Sequence, residues 1–196
     1  MLTLARLILA VVTLAAIGLQ LFLHVSASYS TLNFFSYFTN LSNLFATLVL
    51  VLCVVTPPSR ARDLSQYVAT VNMAVVGLVF AVLLRNVDLG DLRPWVNFVL
   101  HYLMPVAVVL LWFVAPPVSR LTRRHLLVAM AVPAVYLLYV VVRGASTGWY
   151  PYPFLNPALV GGYGAVAAYA LGIAVTFLII SAVLLAAGNR LSRARP

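Results

Sequence analysis

LVGGYGAVAAYALGIAVTFLIISAVLLAA, residues 159–187, contains no acid and no base. An α-helix rises 1.5 Å per residue, so about 20 apolar residues cross the hydrocarbon core of a bilayer, and this stretch is longer than that. Five more charge-free apolar runs precede it, at residues 7–25, 36–56, 66–84, 95–115 and 126–142. They are longer than the alternating ten-residue strands of a membrane barrel. A backbone in lipid must also satisfy its own hydrogen bonds, so each run reads as a helix. Residues 1–196 therefore read as one all-α domain, a bundle of six transmembrane helices, with the proline of the fifth run (Pro133) tolerated inside its helix because neighbouring groups resatisfy the freed carbonyl.

Composition agrees. Hydrophobic residues make up 64%, charged residues 8%, and the mean hydropathy is +1.08, which excludes a soluble domain with a polar surface around one core. The first run keeps bulky residues (Leu21, Phe22, Leu23) to its end and offers no small-residue cleavage site, so it reads as a retained helix rather than a secretion signal. Cys53 is the single cysteine, which rules out an intrachain disulfide and a cysteine-based metal site; its expected role is packing.

All twelve cations are arginines. If the helices alternate in direction, Arg6, Arg60, Arg62, Arg120, Arg123, Arg124, Arg190, Arg193 and Arg195 fall on one side, and Arg85, Arg93 and Arg143 on the other. The positive-inside rule then places both termini in the cytoplasm and three loops, near residues 26–35, 85–94 and 144–158, outside. The net charge of +9 is thus mainly topological, with anionic lipid rather than nucleic acid as its natural partner.

Polar groups at membrane depth cost free energy and face the bundle interior, so they are where function is sought. The second run opens with Ser36, Tyr37, Phe38, Thr39, Asn40, Leu41, Ser42 and Asn43, and continues almost purely aliphatic. Thr39 and Asn43 are four apart and share a helical face; so do Asn97 and His101 on the fourth run, one turn before Pro105. Both sets lie one to two turns below the outer boundary. A hydroxyl facing an imidazole in a partly desolvated pocket is the minimum for nucleophilic catalysis, because the alcohol is inert until a base takes its proton. Thr39 and His101 are the candidate pair, Asn97 or Asn43 the candidate for holding the ring's tautomer, and Asn40, Asn43 and backbone amides the candidates for stabilising an oxyanion. The competing readings are a threonine bonded to its own helix and asparagines and histidine that only join helices.

Two outer loops complete the candidate site. Residues 85–95 hold Asp88 and Asp91, each near an arginine. This is either a surface turn of weak ion pairs or a headgroup site in which Arg85 or Arg93 takes a carboxylate or phosphate. Residues 148–157, with Trp149, Tyr152 and Phe154 among prolines, suit the membrane interface and are placed to cover a pocket whose wall includes Tyr136, Tyr139 and Arg143.

Phe38-Thr39 at the start of the second run, His101 followed by Pro105, and Thr147-Gly148-Trp149 leading to Tyr152-Pro153-Phe154-Leu155 together resemble the androgen-induced and androgen-dependent family of integral membrane hydrolases, in a bacterial six-pass branch. The likeness spans residues 34–187. Ser42 stands where animal members carry an acid, and the spacing from histidine to proline is one residue shorter. The resemblance implies threonine-type hydrolysis of lipid esters, among them fatty acid esters of hydroxy fatty acids. It also implies Thr39 as nucleophile, His101 as base, no cofactor, a fatty-acyl substrate and a bacterial cytoplasmic membrane. Two other classes compete: a lipid-binding scaffold without turnover, and a small transporter. The transporter is disfavoured because the helix breakers do not pair between two halves. A metal hydrolase has no ligand motif to stand on.

Overall fold

The computed structural model describes residues 1–193, the side chain of Arg193 excepted; Arg195 of the basic tail lies outside them. Among the described residues there is no strand. The main helices are α1 (Leu2–Ser26), α3 (Phe38–Val55), α4 (Arg60–Val79), α6 (Met104–Val114), α7 (Arg123–Thr147) and α9 (Tyr163–Arg193), with short α2 (Thr31–Phe35), α5 (Pro94–Phe98) and α8 (Pro157–Val160) between them. A π turn, Phe80–Leu84, continues α4; another, Val99–Leu103, joins α5 to α6. Six segments are long and apolar enough to cross a membrane: Leu2–Ser26, Phe38–Val55, Arg60–Leu84, Pro94–Val114, Arg123–Thr147 and Tyr163–Ser192. The chain has the character of an integral membrane protein.

The helices overrun most of the charge-free runs, because a helix need not stop where the hydrocarbon does. The third begins at Arg60, six residues before its run, since Ser59 accepts a hydrogen bond from the Arg62 N–H at 3.2 Å and Asp63 favours the positive first turn. Two runs start late: the sixth is broken at Gly161 and Gly162, both at positive φ, so α9 begins only at Tyr163, and the second is shortened as well. Ser36 ends α2, Tyr37 is extended, and α3 starts only at Phe38, so Thr39 is the second residue of its helix and not the third or fourth. Pro133 sits inside an unbroken α7.

α4 is the central helix. One apolar cluster packs α1, α3 and α6 against it through Ala16, Ile17, Val49, Met73, Val76 and Met104. Another packs it against α6 and α9 through Tyr67, Val71, Trp112 and Phe177. A third, with Phe80, Val140, Phe154 and Val166, closes the end where the long loop 148–156 returns. Gly77 lets α4 approach α6, since a Cβ there would lie 2.9 Å from Pro105 Cβ.

Candidate active site

α3 starts without a side-chain cap of its own, which leaves the first N–H groups of the helix unpaired. Two tyrosines from elsewhere supply the partners. The Phe38 N–H donates to the Tyr136 hydroxyl at 3.2 Å, and that hydroxyl donates to the Ser36 carbonyl at 2.8 Å. The Thr39 N–H donates to the Tyr152 hydroxyl at 3.2 Å, and the Thr39 Oγ1 lies 3.4 Å from the same atom. Burial pushes the Tyr152 phenol above its ordinary range, so it stays protonated and able to donate. Tyr139 shares a 2.7 Å hydrogen bond with the Ser36 hydroxyl.

Asn40 and Asn43 hold this helix start from the other side. The Asn40 amide donates to the Phe34 carbonyl at 2.8 Å, which fixes the break between α2 and α3. Asn43 donates to Thr39 O at 2.9 Å and to Leu100 O at 3.2 Å, while its own Oδ1 is buried without a partner. The second bond has a local cause. In the π turn the Met104 N–H bonds back to Val99 O, and the residue that would serve Leu100 O in the same register is Pro105, which has no N–H. Asn43 fills that gap and thereby ties α3 to the turn carrying His101.

His101 is buried and stacked on Phe80, with ring centroids 4.0 Å apart and planes inclined at 20°. Both rings stand in π turns, so the two irregular segments present their side chains to each other. His101 Nδ1 lies 2.7 Å from Asn97 Oδ1. An amide oxygen only accepts, so Nδ1 carries the proton and Nε2 keeps a free lone pair.

Thr39 and His101 line one cavity of about 550 Å³, together with Gln20, His24, Asp88, Asp91 and Trp149. Among the described residues no hydrogen bond joins them; the hydroxyl's partner is Tyr152. The cavity also touches Asn40 and Tyr152. No arginine lines it. Arg85 and Arg93 are exposed and form no ion pair with Asp88 or Asp91 among the described residues; the aspartates instead accept from the Gly90 N–H at 2.9 Å and the Tyr29 hydroxyl at 3.2 Å. Arg143 donates to Asn33 Oδ1 at 2.6 Å and lies 4.7 Å over the Trp149 ring. Gly144 beside it lets the loop close: a Cβ there would meet the Tyr150 ring at 2.0 Å. Phe154 stacks on Tyr152, its plane within 4°.

Three features escape the sequence reading. Gln20 donates to the Asp91 carbonyl at 3.2 Å and accepts from the Arg93 N–H at 3.2 Å; a glutamine within an apolar run was the signal for it. Tyr152 reads as part of a covering loop and proves to be a partner of Thr39. Phe80, an aromatic among aliphatics, carried no mark of its contact with His101. His24 and His125 serve structure, the first through Ser30 O at 3.0 Å and the second in the capping box of α7 with Thr122. No group of three or more metal-ligating side chains occurs among the described residues. No family model, curated protein or solved structure matches this chain.

Proposed function

We propose that this chain is a membrane-embedded hydrolase of fatty-acyl esters, related to the androgen-induced family of threonine hydrolases, with Thr39 as nucleophile and His101 as general base. The observation that supports it best is that a hydroxyl at a helix start and an imidazole with an open Nε2 face the same cavity. Thr39 Oγ1 attacks the ester carbonyl carbon as its proton passes to His101, directly once substrate tightens the site or through one water. The bond to the alkoxy oxygen then breaks and the proton goes to the departing alcohol. Water, deprotonated by His101, attacks the acyl-threonine and releases the fatty acid, and the proton returns to Thr39 Oγ1. The Tyr152 hydroxyl is the candidate donor to the developing oxyanion; the Phe38 and Thr39 N–H groups donate to the Tyr136 and Tyr152 hydroxyls, and the side-chain amides of Asn40 and Asn43 are committed to main-chain carbonyls.

The reading includes orientation: both termini cytoplasmic, the cavity in the outer leaflet, and a bacterial inner membrane as location. Its support is the excess of arginine at the end that holds Arg6, Arg62 and Cys53. One observation favours a second reading, lipid binding without turnover: the Thr39 hydroxyl bonds Tyr152 and not His101. The deciding experiment treats the detergent-purified protein with an alkyl fluorophosphonate and maps the adduct by mass spectrometry. Hydrolase function requires an adduct on Thr39 that His101→Ala slows by about a hundredfold or more. A folded protein that takes no adduct at Thr39 is a binder.

A further inference from the structure

Thr39 stands in the wall between two chambers, one with polar groups in its lining and one almost wholly apolar. On one side is the 550 Å³ cavity with His101, Gln20, Asp88 and Asp91. On the other is a chamber of about 190 Å³ between α4, α7 and α9, bounded by Val75, Val79, Met130, Leu137, Ile173 and Phe177. Thr39, Leu84 and Tyr152 belong to both linings. In the second chamber the only hydroxyls are those of Thr39, Tyr136 and Tyr152, and all three meet at the start of α3. The rest is hydrocarbon. From Met130 to Leu137 along α7 it extends roughly 10 Å at 1.5 Å per residue. Ala134 and Ala174 line it and are also exposed, so it opens sideways between α7 and α9, on a face that a bilayer would cover with acyl tails.

The polar chamber has its own selectivity. Two carboxylates and no arginine line it, and Arg143 is held by two of its lining residues, Asn33 and Trp149. A carboxylate or phosphate placed there would face like charge with no bidentate partner.

We propose that the substrate is an ester laid across Thr39, with its acyl chain in the apolar chamber, entering between α7 and α9, and its alcohol portion in the polar chamber. That portion is an uncharged or cationic polar alcohol, not an anionic one. The inference rests on the hydrolase reading and narrows it away from esters whose alcohol part bears a carboxylate. Each methylene buried in the apolar chamber contributes about fourfold to kcat/KM.

The test measures release of fatty acid by the purified protein from octanoyl esters of glycerol, choline and glycolate, and from the butanoyl ester of glycerol. Octanoyl-glycerol is expected to exceed butanoyl-glycerol in kcat/KM by tenfold or more, and the glycerol and choline esters to exceed the glycolate ester by tenfold or more. Ala174→Phe, which fills the slot from α9, should abolish the octanoyl preference; Ala134→Leu from α7 is the second variant if the first does not fold. Asp88→Asn with Asp91→Asn should raise the glycolate rate selectively. Turnover that favours the glycolate ester, or a chain-length preference indifferent to both slot variants, overturns this inference and leaves the hydrolase reading standing. Absence of turnover of every ester, with no Thr39 adduct, overturns both.

Discussion

Tyr136→Phe removes a single oxygen and tests the idea that a tyrosine from α7 fixes where the Thr39 helix begins. That oxygen accepts from the Phe38 N–H at 3.2 Å and donates to the Ser36 carbonyl at 2.8 Å, on either side of the break at Tyr37. Ser36 is buried and Phe38 half-buried, so phenylalanine leaves two main-chain groups with little water to turn to. Each orphaned buried group costs about 1–3 kcal/mol, and taking the lower half of that range for the half-buried one gives a loss of roughly 2–5 kcal/mol. In a chain of this length that lowers the Tm by about 5–15 °C. Tyr139→Phe is the control. It too removes one hydroxyl from the Ser36 region, but the Ser36 hydroxyl keeps its 2.7 Å bond to the Leu32 carbonyl, so the loss is about 1 kcal/mol or less. The assay is built into the chain: Cys53 is the only cysteine and is buried, so a thiol-reactive fluorophore reports unfolding in detergent. Equal shifts for Tyr136→Phe and Tyr139→Phe would refute the bridging role and, with it, the account of how α3 is started.

Asn97→Leu deletes the acceptor that sets the His101 tautomer and should lower kcat about tenfold with KM within about twofold, while Asn97→Asp, which keeps an oxygen toward Nδ1, restores most of the rate. A KM effect alone, or no rescue by aspartate, removes Asn97 from a positioning role. For orientation, Ala145→Cys and Ala61→Cys place exposed thiols at opposite ends of the bundle. An impermeant maleimide applied to intact cells should label the first and spare the second, and the reverse pattern inverts the topology.

The six spans were legible because lipid leaves the backbone no alternative to a helix, and the runs declare themselves by lacking charge. Their ends were less so. Arg60, Arg62 and Asp63 excluded the first turn of α4 from any charge-free run, although Ser59 and Asp63 are good helix-start residues. The break at Ser36 and Tyr37 contains neither glycine nor proline. It exists because Asn40, Tyr136 and Tyr139 bind its main chain and the Ser36 side chain from three directions, and two of those partners are about a hundred residues away in sequence. Helical periodicity placed Asn97 beside His101 because four residues make about one turn. The same rule failed to forecast the π turn that carries His101, which needs Asn43 of another helix to satisfy Leu100 O. Local spacing thus placed Asn97 beside His101 and Asn43 beside Thr39, while long-range pairing decided what else each one touches.

Burial is uneven across the bundle. Within an 18-residue apolar window of each span, 61% of the residues are buried in Arg60–Leu84, against 11% in Arg123–Thr147 and 17% in Tyr163–Ser192, so α7 and α9 have the least packing to lose when they separate. Thr39 and His101 both stand on the well-packed side, tied together through Asn43 and the π turn. The apolar chamber lies on the yielding side. Under the proposed mechanism, admitting an acyl chain past Ala134 and Ala174 would therefore displace helices that carry neither Thr39 nor His101. The exception is Tyr136, which rides on α7 and holds the Phe38 N–H. Under the proposed mechanism, movement of α7 that opens the slot would also loosen the start of α3 and free a backbone donor beside Thr39 for an ester carbonyl.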